Sequence, residues 1–197
     1  ISKFLYKIQE SNSFNLISKI FINRIFKKYY KLSQLDKLQK KFINHFDGYW
    51  QDVKILESQK TYILESLGKI ENITPTLKSI PKTGCTLVHV RRGDYLAMDE
   101  NLGINYYEKA LKLAKGNIDN FHYEIFTDDI EWVKSQKIFN EAKEIHGPSN
   151  NLKQLHKEIS KMLNFENYIT ANSSLSLALA TLSEKQSSLI IVPTPWT

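Results

Sequence analysis

The stretch Thr86-Leu87-Val88-His89-Val90-Arg91-Arg92-Gly93-Asp94-Tyr95 is a short apolar run that stops at two adjacent arginines. Its first five residues have the β-branched and apolar character of a strand. Those arginines are two of only three in the chain; the third is Arg24, and 24 lysines carry the remaining basic charge. Arg offers a planar, permanently charged fork that grips phosphate bidentately, which a lysine ammonium does not. The stretch therefore predicts a strand whose carboxyl end meets an anionic, phosphate-bearing ligand. The competing reading is a structural network in which the arginines pair with Asp94 or another carboxylate. Gly93 removes a Cβ where backbone must approach a ligand or bend sharply. His89 alternates with Val88 and Val90, so its side chain points to the opposite face of the strand, as a buried structural histidine or a ligand contact.

Downstream the pattern repeats. Residues 123–127 and 167–171 read as strands that run into Asp128-Asp129 and Asn172-Ser173-Ser174, and 188–192 reads as a final strand. Helical patterns cover 106–115, 130–135, 152–163 and 174–182, and Gly147-Pro148-Ser149-Asn150 is a loop. Strands alternating with helices predict a parallel α/β sheet. Ligands of such sheets bind beyond the carboxyl ends of the strands, so the three polar clusters are expected to share one crevice. Asp128 and Asp129 suit a metal, a ribose or base edge, or a helix cap. Asn172, Ser173 and Ser174 suit an anion at a helix start or an ordinary cap.

Upstream, Phe14, Ile17, Phe21 and Ile25 recur at helical spacing with Lys19, Arg24, Lys27 and Lys28 between them, so residues 1–46 are expected to be helical. A basic amphipathic helix rests on anionic lipid or packs on a neighbouring domain. Asp47-Gly48 breaks the pattern, 51–70 is helical again, and 74–84, with Pro75 and Pro81, is a connection. Residues 1–83 are thus read as a mostly helical partial first region, and 84–197 as the ligand-binding domain.

The 197 residues are 42% hydrophobic and 12% aromatic, enough for a real core, with a net charge of +6. The lysines are scattered, and neither zinc-finger spacing nor an RNA-binding sheet motif occurs, so no nucleic-acid partner is expected. The single Cys85 excludes an intrachain disulfide and lacks metal-ligand spacing, which fits a core thiol in a reducing compartment. His45, His122, His146 and His156 read as surface or packing residues. No apolar run of about 20 residues is present, and charges interrupt every apolar stretch near the start. A cytoplasmic location is expected, with peripheral membrane contact as the role left to the basic first segment.

His89-Val90-Arg91-Arg92-Gly93-Asp94-Tyr95 resembles the signature of the α-1,2-fucosyltransferases of glycosyltransferase family 11. Further elements agree in order: Gly48-Tyr49-Trp50-Gln51, Asn105-Tyr106-Tyr107-Glu108-Lys109-Ala110, Phe126-Thr127-Asp128-Asp129, Asn172-Ser173-Ser174 with Ser176, and Pro193 with Trp196. The resemblance runs from about Gly48 to the end. It implies a GT-B-like α/β fold, with a Rossmann-like parallel sheet in the C-terminal part and a helical portion of a first domain before it. It also implies an inverting transferase that uses GDP-fucose as donor and a galactose-terminated glycan as acceptor, with no metal or other cofactor. Arg91 would hold the β-phosphate, with Ser173 and Ser174 assisting and Asn172 among the substrate-binding residues; His89 and Asp128 would face the guanosine, and Arg92 and Asp94 would brace the loop. Inversion needs a route for the acceptor proton, for which Asp99 and Glu100 are the candidates. The Lys-, Ile- and Asn-rich composition is bacterial in style, which points to polysaccharide or O-antigen-type synthesis. Three features depart from the family pattern. Its Gly-rich opening element has no counterpart, so the first domain is expected to be incomplete; Leu175-Ser176-Leu177-Ala178 replaces Phe-Ser-Trp-Trp; and Glu158 stands where Asp is usual. A GDP-sugar-binding remnant without catalysis is the alternative these departures raise.

Overall fold

The computed structural model describes residues 27–30, 43–46, 53–69, 82–183, 185 and 187–194. The chain divides into two units, Ile1–Gln51 and Asp52–Thr197. In the first, β1 (Lys27–Tyr30) pairs in parallel with β2 (Ile43–Phe46). These two segments are strands, not the helix expected over 1–46. Their aromatic and β-branched residues favour extended backbone, and pairing between segments overrides a weak local helical spacing. The rest of that helical expectation, Gly48-Tyr49-Trp50-Gln51, the loop up to residue 81 and Trp196 lie outside the described residues.

The second unit begins with α1 (Val53–Ser58) and α2 (Lys60–Leu67). The compact unit that holds the sheet thus includes α1 and α2 as well as the residues after 84. The physical reason is burial: Ile63, Leu64 and Leu67 pack against the core of the sheet, and the Lys60 ammonium donates to the Thr181 carbonyl at 3.0 Å. There follow β3 (Lys82–Val90), α3 (Tyr95–Met98), α4 (Ile104–Asn117), β4 (His122–Thr127), α5 (Ile130–Ser135), a 3-10 turn (Lys137–Phe139) and β5 (Ile145–His146). The chain then forms α6 (Leu152–Met162), β6 (Phe165–Ile169), α7 (Ser174–Ser183) and β7 (Ile190–Ile191).

Among the described residues the five strands of this unit are parallel, in the order β5-β4-β3-β6-β7. The chain starts in the middle, winds outward one way through β4 to β5, and returns to wind the other way through β6 to β7. This is the doubly wound order of dinucleotide-binding sheets, and its reversal lies between β3 and β6. The sheet is apolar on both faces, as parallel sheets must be when helices cover each side. Along β3, Cys85 and Leu87 enter one cluster with Phe126, Phe165 and Tyr168, against Met162 of α6 and Leu179 of α7. Val88 and Val90 enter the opposite cluster with Ile125 and Ile169, against Tyr107, Ala110 and Ala114 of α4 and Val133 of α5. The two edge strands have two residues each, which leaves little unpaired edge. This architecture is the expected α/β class, a parallel sheet between helices consistent with a GT-B-like fold.

The register of β3 on β6 shifts between Lys82 and Thr86. Gly84 sits in this irregularity with φ +71, and a Cβ there would lie 3.3 Å from the Asp119 carbonyl. Glycine is the residue that takes this backbone shape without strain.

Candidate functional site

The loop after β3 is held by one carboxylate. Asp128, at the end of β4, accepts the Arg92 N–H on Oδ1 at 2.8 Å and the Gly93 N–H on Oδ2 at 3.1 Å. The same Oδ2 lies 3.0 Å from Nη1 of Arg91, whose Nη2 lies 2.8 Å from Asp94. Parallel register brings this about, because Val90 stands opposite Thr127, so both strand ends open at the same height. Gly93 has its reason here: a Cβ would fall 2.8 Å from Asp128 Oδ2. The glycine is needed for the approach of a carboxylate to the loop backbone.

Arg92 turns the other way. Its Nε meets Asp129 Oδ2 at 3.2 Å, and its guanidinium carbon lies 4.0 Å over the Trp132 ring. Asp129 in turn accepts the Trp132 N–H at 3.0 Å and caps α5. Arg92 is thereby built into the junction of loop and helix by charge and ring stacking. The carboxylates of Asp128 and Asp129 are both engaged by guanidinium and amide donors, the environment of a brace.

A cleft of about 410 Å³ opens at this end of the sheet, within the usual range for small-molecule sites. His89, Arg91, Thr127 and Asp128 form one wall, from the ends of β3 and β4. The facing wall comes from residues 148–151, Leu152, Leu155 and Glu158 of α6, and Leu175 of α7. The Ser149 hydroxyl donates to the Glu158 carboxylate, tying that wall together. Arg91 is about a third exposed (36%), so its charge reaches the cleft.

His89 is 7% exposed, and its buried Nδ1 has no hydrogen-bond partner. Burial pushes its pKa down to about 4, Asp128 opposes the shift, and Arg91 adds to it. The ring is therefore neutral at physiological pH, with an unmet hydrogen-bonding position beside a cleft. Buried polar atoms are rarely left in that state.

Asn172 and Ser173, after β6, are buried, while Ser174 at the start of α7 is exposed. They stand across the reversal point from the arginines and are not among the residues lining the cleft; Leu175 is. Tyr95 is near both groups: its ring centroid lies 5.5 Å from the Arg91 guanidinium carbon, and Ser173 is close enough to its hydroxyl to lower its pKa. Burial raises the pKa of Tyr95, with Arg91 opposing. Asp94 is exposed on the outer side of Arg91. Asp99 caps α3 in the left-handed region at φ 56 and is exposed, and the Glu100 N–H bonds the Tyr95 carbonyl at 3.0 Å. Neither of these two acids lines the cleft.

Sequence reasoning missed the facing wall. Two residues of β5 carry no readable alternation, so the loop that follows was not recognised as a fourth strand end. Its Gly-Pro-Ser-Asn composition before a helix was the available signal. His146, expected to be a surface or packing residue, is a packing residue with polar partners. The imidazole lies on β5 with Nε2 2.9 Å from Glu124 and Nδ1 3.4 Å from Glu144, stacked on Phe126 at 4.2 Å. Among the described residues these three side chains are the group with metal-ligand potential. Each ring nitrogen already faces a carboxylate. No helix among the described residues is long and apolar enough to cross a membrane.

Comparison with known proteins matches residues 3–196 to glycosyl transferase family 11. The chain is 30% identical to an alpha-1,2-colitosyltransferase of Escherichia coli, over 98% of this chain and 76% of that protein. It is 25% identical to the O-antigen biosynthesis glycosyltransferase WbnK of Escherichia coli, over 86% of this chain and 60% of that protein. No solved structure matches. The motifs along the chain, the doubly wound sheet and the match over nearly its whole length agree, and the chain belongs to glycosyl transferase family 11.

Proposed function

We propose that the chain is an inverting glycosyltransferase that moves L-fucose from GDP-fucose to a galactoside hydroxyl in α-1,2 linkage, during O-antigen-type polysaccharide synthesis. One observation carries this reading: Arg91 and the unpartnered Nδ1 of neutral His89 stand together at a cleft beside the sheet reversal. In the reaction the acceptor oxygen attacks C1 of the sugar and the C1–O bond to the diphosphate breaks. GDP departs with the electron pair, and its β-phosphate gains negative charge. Arg91, now shared between Asp94 and Asp128, would place a guanidinium nitrogen on that phosphate. An interaction that strengthens as charge develops lowers the barrier. His89 would hydrogen-bond the guanosine, and Ser173 and Ser174 would complete the phosphate side. Asp128 would act mainly by holding the loop that carries Arg91. Asp99 and Glu100 remain the proposed routes for the acceptor proton. The arginine replaces a metal in this scheme, so chelator is expected to leave the rate unchanged. The partner is a galactose-terminated glycan, met in the cytoplasm or at the inner face of the membrane.

The colitosyltransferase relative favours a second donor reading, GDP-colitose, which lacks one hydroxyl of GDP-fucose. The test is product formation by mass spectrometry with each donor and a lactose-type acceptor, beside calorimetric titration of GDP. Fucosyl product supports the proposal, and colitosyl product alone moves the donor to the second reading. GDP binding without either product favours a sugar-nucleotide-binding remnant. Absence of GDP binding overturns the reading altogether.

A further inference from the structure

We propose that the adjacent tyrosines Tyr106 and Tyr107 are positioning residues, each of which separately holds one lip of the sheet reversal between β3 and β6. Tyr107 holds the arginine-bearing end of β3, and Tyr106 holds the serine-bearing end of β6. The consequence for ligand binding rests on the donor reading above; the structural claim does not.

The hydrogen-bond ladders show why such a device is needed. Pairing of β3 with β4 continues to Val90 opposite Thr127, but pairing of β3 with β6 ends at Val88 opposite Ile169. Past that point the two strands flanking the reversal no longer hold each other, and their last carbonyls need other donors. The Tyr107 hydroxyl donates to the His89 carbonyl at 3.2 Å. The Tyr106 hydroxyl donates to the Thr170 carbonyl at 2.7 Å, with the Ile191 carbonyl at 3.4 Å. His89 lies two residues before Arg91, and Thr170 three before Ser173.

Consecutive helix residues point about 100° apart, which lets neighbours on α4 reach two different strands. Their rings meet edge-on, with centroids 5.0 Å apart, and Phe139 holds the Tyr107 ring from 5.7 Å. Burial raises the pKa of both phenols, so each stays a donor across the physiological range. Helix α4 thus acts as a spacer between the two lips, through one hydroxyl each.

Hydrogen exchange on the full chain tests the claim without any ligand. A buried carbonyl that loses its donor costs about 1 kcal/mol, or roughly fivefold in local opening. Tyr107→Phe is expected to accelerate exchange by that factor in residues 89–94 and to leave 170–175 at the wild-type rate. Tyr106→Phe is expected to do the reverse. Acceleration at both lips in either variant, uniform loosening of the whole unit, or no change would overturn the proposal. If a Phe variant fails to fold, p-aminophenylalanine at the same position retains a donor and is expected to restore both folding and wild-type exchange; loss of protection despite that donor overturns the assignment. With GDP as probe, the affinity loss from Tyr107→Phe should vanish in an Arg91→Ala background, and that from Tyr106→Phe in a Ser173→Ala background. Fully additive losses would overturn the coupling. A wild-type chain that does not bind GDP would instead refute the donor reading, and the exchange result would still decide the role of the tyrosines.

Discussion

Replacing Asp128 with Asn tests the central geometric claim, that one carboxylate positions the arginine loop. The substitution keeps the shape of the side chain and one acceptor oxygen. It turns the other oxygen into an NH₂ donor facing donors, where Oδ2 now meets the Gly93 N–H at 3.1 Å and Arg91 Nη1 at 3.0 Å. A hydrogen bond to a charged group contributes about 1.5–3 kcal/mol. The guanidinium is about a third exposed, so water screening holds its ion pair to about 1 kcal/mol or less. One amide contact survives on the remaining oxygen. The expected net loss is about 2 kcal/mol, which lowers the melting temperature by about 4–8 °C in a chain of this size. Loss of the loop conformation should also weaken GDP binding about tenfold, because Arg91 then samples orientations away from the cleft. Differential scanning calorimetry and GDP titration on the same preparation supply both numbers. Lost GDP affinity with an unchanged melting temperature would mean that Asp128 touches the nucleotide directly. No change in either would refute the loop-holding role.

Three further outcomes follow from the same geometry. Burial holds the His89 pKa down at about 4 in the folded chain, against 6.5 for a free imidazole. Because its folded pKa is depressed, stability is full above 6.5 and falls as pH drops toward 4, by about 2 kcal/mol at pH 5; wild type and His89→Gln should therefore converge in pH-dependence only above pH 6.5, and parallel melting curves from pH 7 to 5 would contradict the burial of a neutral ring. Gly84→Ala places a Cβ at φ +71 and 3.3 Å from the Asp119 carbonyl, which should cost about 1–2 kcal/mol in urea titration while GDP affinity holds, since the residue lies at the far end of β3 from the cleft. Trp132→Leu removes the surface 4.0 Å beneath the Arg92 guanidinium and should destabilise by about 2–3 kcal/mol, with a weaker fall in GDP affinity than Arg91→Ala; equal falls would show that Arg92 also contacts the ligand.

The strands and helices after residue 84 were legible because their patterns are local. Thr86 to Val90 is β-prone by composition, and 106–115 and 152–163 repeat at helical spacing. The short strands fared worse. The β1 and β2 segments sit inside a stretch with helical spacing, and β5 is two residues long. Strands of that length exist through pairing with a neighbour, which a local pattern does not encode. The grouping of arginines with Asp128 was expected from the rule that strand ends share a crevice. The division of labour within it was not. Asp128 grips loop amides, Arg92 stacks on Trp132, and Arg91 is left at the cleft.

By itself, the order of residues determined the class of this protein: alternating elements that require a parallel sheet, and a motif series that marks the family. These are one-dimensional properties, set by periodicity and by residue types at fixed separations. Only the tertiary structure decided which strand ends face one another, where the helical wall of the cleft comes from, and which of two adjacent arginines keeps its charge at the opening. Those outcomes depend on register, on burial, and on competition among donors and acceptors that lie as much as 35 to 85 residues apart along the chain.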